Sequence, residues 1–233
     1  MAAKKILMVL TSHQHLGNTG EKTGYWLEEF VVPYYIFTDA GIDVTIASPA
    51  GGLPPVDPKS TSADLQSAAS RRFERDFNAQ TQLHNTQQLS DVQDVDYDGV
   101  FYSGGHGVLW DLAANGDSIS LINGFLSDKK PVATLCHATA ALLNVYDDSG
   151  ESIIKNTDIS GFSNSEEDAV QLSEIVPFLL EDELKRRGGF YHKAADWQAF
   201  AVQDGVIISG QNSASSELVA HKLLEQLDIE WLA

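Results

Sequence analysis

"KILMVLTSHQHLGNTGEKTGYWLEEFVVPYYIFTDAGIDVTIASP", residues 5–49, decides the fold class. Its first part, "KILMVLTS", is a near-continuous apolar run of strand length, the pattern of a strand buried on both faces. "TGYWLEEFVVPYYIFTDAG" then has helical character and stops at Gly41, and "DVTIASP" is a second strand. Pro33 within the helix predicts a kink or an early stop, because proline lacks the N–H that a helix interior needs. Strand, helix and strand in this order specify a parallel pair joined by a crossover.

The alternation continues along the chain. Strand character returns in "GVFYSGGHG" (99–107), in "PVATLC" (131–136) and weakly in "TDISGF" (157–162). "AFAVQDGVIISG" (199–210) reads as two short strands around a turn at Asp204–Gly205. "SSELVAHKLLEQL" (215–227) reads as a closing amphipathic helix with Leu218, Val219, Leu223 and Leu224 on its apolar side. Between about residues 50 and 96 the composition shifts to Pro, Ser, Gln and Asp, with one short helix around Ser67 to Phe77. This segment reads as a cap-like insertion in a single α/β domain spanning residues 1–233.

Composition narrows the function. A chain of 233 residues with 43% hydrophobic content can bury a sizeable core. Its 33 acidic against 15 basic residues give a net charge of -18, which repels phosphate backbones and argues against nucleic acid as a partner. No apolar run reaches the roughly 18 residues of a membrane span, and the start lacks the pattern of a signal peptide, so the expected location is cytoplasmic and off the membrane. A single cysteine forms no internal disulfide and rules out zinc sites built on paired cysteines. The histidines show no metal-ligand spacing either, so no metal is expected.

In an open parallel sheet the ligand crevice lies beyond the carboxyl ends of the strands. Cys136 stands there, between the strand "PVATL" and the helical "HATAALL", with no residues left for a loop. Such a sharp strand-to-helix turn resembles a nucleophile elbow, and small neighbours (Ala133, Thr134, Ala138) permit it. A thiol at a helix start is expected to favour the thiolate, because unpaired N–H groups and the helix dipole stabilise negative charge. Position alone is equally consistent with a buried structural cysteine. "YSGGHG" ends another strand, and its Gly104 and Gly105 allow backbone amides to approach a ligand, as an oxyanion hole shared with the amide of His137 requires. The G-x-G-x-x-G and Walker patterns are absent, which disfavours a phosphate site. Glu28, Glu29, Glu166, Glu167 and Asp168 are candidate carboxylates among which composition does not choose. Asp196–Trp197 reads as a packed loop, and Gln211 and Asn212 as turn residues.

Taken together, "TGYWLEEFVVPYYIF", "YSGGHGVLWDL", "ATLCHATAALL", "ISGFSNSEEDAV", "KAADWQAF" and "SGQNSASS" resemble the ThiJ/PfpI superfamily, related to class I glutamine amidotransferase domains, with wording closest to its heat-shock glyoxalase III branch. The resemblance implies a flavodoxin-like, doubly wound parallel sheet sandwiched by helices. It also implies a nucleophile at Cys136, a histidine at His137 and a glutamate at Glu167, five residues after Phe162. A further glutamate, Glu29, would hydrogen-bond the cysteine, with one proton shared between them. The activity implied is glutathione-independent conversion of methylglyoxal and related small aldehydes to hydroxy acids, without a cofactor, in a homodimer. A stress chaperone or cysteine oxidation sensor is the competing reading, and a peptidase or amide hydrolase the third.

Overall fold

A computed structural model describes residues 3–229. Its strands are β1 (Lys5–Val9), β2 (Asp43–Ser48), β3 (Gln87–Gln88), β4 (Gly99–Tyr102), β5 (Val132–Leu135), β6 (Asp158–Ile159), β7 (Phe190–Tyr191), β8 (Ala201–Asp204) and β9 (Ile207–Gly210). The helices are α1 (Leu27–Asp39), α2 (Ala68–Phe73), α3 (Phe77–His84), α4 (Val108–Asp111), α5 (Gly116–Ser127), α6 (Asn164–Ala169), α7 (Leu180–Arg186) and α8 (Ser216–Gln226).

Seven strands form one sheet in the order β3-β2-β1-β4-β5-β9-β8. Every pairing in it is parallel except the β8–β9 hairpin at the edge. The apolar runs of β1, β4 and β5 are buried because helices cover both sides, and this is why they read as continuous rather than alternating. Strand order grows outward from β1 through β2 to β3, then reverses at β4. Right-handed crossovers therefore send helices to both faces and open a crevice at the β1/β4 switch point.

Helix α1 passes Pro33 and runs on to Asp39, so the proline neither stops it nor prevents its last turns. Val31, Pro33, Tyr34, Tyr35 and Phe37 are buried there, and this packing holds the helix together where one backbone bond is missing. The expected single helix at 67–77 is two helices. Asp76 accepts the N–H of Ala79 and so caps a new start at α3. "TDISGF" contributes β6, which leaves the main sheet and pairs with β7 in a separate two-stranded one. On α8, Leu218 faces solvent, while Val219, Ala220, Leu223 and Leu224 are buried. Among the described residues no helix is long and apolar enough to cross a membrane.

Candidate active site

The carboxyl ends of β4 and β5 and the start of α6 converge on one sulfur. Cys136 comes directly after β5 and adopts φ 58, a left-handed conformation that a non-glycine residue enters only when its surroundings hold it. They do so here. Its carbonyl accepts the N–H of Phe162 at 3.3 Å, and Thr134 and Thr139 join their hydroxyls across the turn at 2.9 Å. The chain leaves this turn as a 3₁₀ helix, Cys136–Leu142, rather than the α-helix expected from the sequence.

The turn brings His137 back onto its neighbour: Nδ1 lies 3.3 Å from Cys136 Sγ. On the other side of the ring, Nε2 lies 2.7 Å from Glu167 Oε2. The second carboxylate oxygen of Glu167 is 2.8 Å from Nε2 of His106, a residue that sequence reasoning missed. Burial alone would push the Glu167 carboxyl up, but the positive charge that His137 carries when protonated and hydrogen bonds from both histidines hold it far below its ordinary value. An ionised carboxylate only accepts, so each Nε2 carries a hydrogen. Neutral His137 therefore has a bare Nδ1 aimed at the sulfur, the orientation of a base. Burial and the charge of His106 push the His137 imidazole down, and Glu167 partly restores it.

Glu29 approaches the sulfur from α1. It is fully buried and hydrogen-bonded to the Cys136 side chain and the Gly104 N–H, while its Oε2 has no partner. Burial pushes its carboxyl up to about 8, with the charge of Glu28 adding to the effect. The Cys136 thiol is pushed up as well, first by burial and then by the charge and hydrogen bond of Glu29, against the opposing N–H of His137. The sequence-based expectation of a thiolate stabilised by the helix start is thus corrected: burial outweighs the short 3₁₀ turn. When Glu29 holds its proton, its charge no longer opposes thiolate formation.

Gly104 and Gly105 do different jobs. A Cβ on Gly104 would stand 2.3 Å from Glu29 Oε2 and 2.6 Å from the Leu135 carbonyl, so the glycine makes room for the carboxyl. Gly105, at φ +112, packs against the backbone of Gly24 to Trp26 and lines the cavity over the sulfur. That cavity has a volume of about 60 Å³ and includes Glu29, His106, Cys136 and His137. Phe162 and Trp197 form part of its wall, so Trp197, expected in a packed loop, lines the cavity.

The adjacent Glu166 and Glu167 point to different partners. Glu167 meets the histidines, whereas Glu166 caps α6 through Ser163 and accepts from Asn212 Nδ2 at 2.7 Å. His106, His137 and Glu167 are close enough together to hold a metal ion, within 4.8 Å. Both carboxylate oxygens accept from the imidazoles, which ties the three side chains into one hydrogen-bonded cluster. His13, in the loop after β1, stacks on Trp110 with centroids 5.1 Å apart.

Residues 22–156 match the DJ-1/PfpI family. Among curated proteins, Glyoxalase 3 of Candida albicans is 29% identical over 230 residues, covering 94% of this chain and 97% of that protein. Glutathione-independent glyoxalase HSP31 of Saccharomyces cerevisiae is 27% identical over 238 residues, covering 97% and 99%. Among solved structures, the Rapid Encystment Protein of 24 kDa from Francisella tularensis is similar with a TM-score of 0.93 at 38% identity, covering 96% of this chain and 99% of that one.

Proposed function

Because the chain belongs to the DJ-1/PfpI family, we propose that it is a glutathione-independent glyoxalase that converts methylglyoxal and related small 2-oxoaldehydes to 2-hydroxy acids through Cys136. The observation that carries this reading is the buried Glu29 carboxyl against the sulfur, with a proton affinity near neutrality. Hydrolysis of an amide needs only a nucleophile and its histidine. Moving a hydrogen between adjacent carbons needs a second acid–base group beside the nucleophile, and Glu29 is that group.

His137 Nδ1 takes the thiol proton as sulfur adds to the aldehyde carbon, C1. Glu29 gives its proton to the new alkoxide, which completes a hemithioacetal and leaves a carboxylate. That carboxylate removes the hydrogen from C1 while protonated His137 gives its proton to O2, so the electron pair moves into an enediol and His137 returns to its neutral form. Glu29 then delivers its proton to C2 and takes the O1 proton, which gives a thioester of the 2-hydroxy acid and restores the Glu29 acid. Water, activated by His137, cleaves the thioester and restores the thiol. C1 is oxidised by the same two electrons that reduce C2, so the sequence is redox-neutral and needs no cofactor. Backbone amides of Gly105 and His137 would hold the negative charge that develops on oxygen.

Cavity size supports a small substrate. About 60 Å³ is room for roughly four to six waters, close to the five non-hydrogen atoms of methylglyoxal and far too little for a peptide. The test is formation of lactate from methylglyoxal without glutathione by the purified protein, with none from Cys136→Ser. A folded wild-type protein that makes no lactate would overturn the proposal.

A further inference from the structure

Trp197 stands at the mouth of the Cys136 cavity, and its position is built rather than incidental. Its backbone is left-handed, φ 64, a conformation that a bulky residue holds only under constraint. Its N–H donates to Glu166 Oε1 at 2.9 Å. Nδ2 of Asn212 donates to the same oxygen at 2.7 Å, and Oε2 accepts the hydroxyl of Ser163 at 2.7 Å and its N–H at 3.1 Å. A fully buried carboxylate is thereby satisfied by donors from three separate segments. A second fastening lies alongside, from Ser165 Oγ to Asp196 Oδ1 at 2.6 Å.

The ring these bonds hold is one side chain thick. Trp197 is 47% exposed, yet it lines the cavity and meets Phe162, with centroids 5.9 Å apart. Phe162 in turn lies 4.3 Å from the ring of His137. Phe162, against His137, and the half-exposed Trp197 beside it line this side of the cavity, so the outer ring limits how wide a molecule can be when it reaches the sulfur.

We propose that Trp197 is the size filter for electrophiles approaching Cys136, and that Glu166 is the positioning residue that holds the filter in place. The adjacent glutamates then divide two tasks: Glu167 orients His137 and Glu166 orients the wall. The preferred substrate is an aldehyde with a methyl-sized or smaller substituent. A phenyl-substituted 2-oxoaldehyde adds a ring for which the cavity has no volume while Trp197 stays in place. The inference shares with the proposed function the reactivity of Cys136, but it does not depend on turnover.

Cys136 is the single cysteine of the chain, so its alkylation reports the filter directly. Rates with iodoacetamide and with N-phenyl iodoacetamide are compared for wild type, Trp197→Ala, Trp197→Phe, Glu166→Gln and Asn212→Ala. Trp197→Ala is expected to raise the bulky-to-small rate ratio about tenfold or more, the scale on which a pocket rejects surplus carbon, and Trp197→Phe to raise it less. Glu166→Gln, with the tryptophan still present, is expected to raise the ratio about threefold or more; Asn212→Ala gives the same reading where Glu166→Gln fails to fold. The kcat/KM ratio of phenylglyoxal to methylglyoxal moves in the same direction. An unchanged alkylation ratio in Trp197→Ala, or in the folded latch variants, overturns the inference, including the case where both rates fall together. A ratio that moves in a protein with no methylglyoxal turnover supports the filter and overturns the glyoxalase reading alone.

Discussion

Replacing Glu29 by Gln is expected to make the protein more stable and inactive, and the size of the gain depends on the pH. Burial lifts the Glu29 carboxyl from 4.5 to about 8. Below pH of about 4.5 the folded and unfolded chains both hold this proton, and the shift has no effect. As pH rises from there to about 8, the unfolded chain releases its proton first, so folding becomes progressively less favourable; above 8 the whole cost is present. At about 1.36 kcal/mol per unit, this cost is about 5 kcal/mol above pH 8 and about 3 kcal/mol at pH 7. A Gln side chain has nearly the same shape as the protonated acid. Its oxygen can accept the Gly104 N–H and its amide can face the sulfur, and it has no proton to lose.

The assay is urea unfolding of wild type and Glu29→Gln between pH 5 and 8.5, read as the difference between the two stabilities at each pH. His137 and Glu167 titrate in both proteins and cancel in the difference. The variant should gain about 3 kcal/mol at pH 7, more at pH 8.5 and almost nothing at pH 5, while lactate formation is lost. A difference that stays flat across this range, or that shrinks as pH rises, refutes the assignment of Glu29 as a buried neutral acid. The trade of stability for activity is the mark of a residue kept for chemistry.

The same geometry sets three further outcomes. His106→Phe leaves a buried oxygen of Glu167 without its donor, so the urea midpoint should fall by the equivalent of about 1–3 kcal/mol and kcat should drop, with His106→Asn recovering part of both. Glu167→Gln removes the ionised acceptor of His137 and should lower kcat/KM by about 100-fold. Because the Glu167 carboxyl is held below its unfolded value, its stabilisation is present above pH of about 4.5 and is lost as pH falls, so wild type and Glu167→Gln should converge in stability in acid. Gly104→Ala would set a Cβ against Glu29 Oε2 and the Leu135 carbonyl, and should cost about 1–3 kcal/mol by urea unfolding along with most of the activity.

Much of the sheet was legible because buried parallel strands have a distinctive text. β1, β4 and β5 are continuous apolar runs, and no surface strand imitates them. β3 was not legible, since Gln87–Gln88 is an exposed edge pair whose residue types carry no burial signal. At the site, Cys136 was visible as a strand end without a loop, but its φ of 58 and the return of His137 onto the sulfur exist only in three dimensions. His106 stayed hidden for another reason. Its meaning comes from Glu167, far along the chain, and a histidine in a glycine-rich loop has no pattern that predicts such a partner. Trp197 reads from the sequence as part of a packed loop, and nothing in the residues around it signals the cavity it lines.

The two glutamates that meet the Cys136–His137 pair show why residue type alone could not assign roles. Glu29 and Glu167 are both buried, and burial pushes both carboxyls up. Glu167 accepts from two imidazoles, which overcomes burial and fixes its charge. Glu29 has one N–H and a thiol, which do not overcome it, and the like charge of Glu28 adds to it. The same side chain is therefore a permanent anion on one side of the sulfur and a proton carrier on the other, and pairs pushed apart in this way identify the acid–base assignments of a site. The helices supply this difference. α1 delivers Glu29 against the glycine peptide after β4, while α6 delivers Glu167 to the histidines that come after β4 and β5. Exchanging the environments would exchange the roles, and that is why the sheet's switch point, rather than any one motif, determines the chemistry.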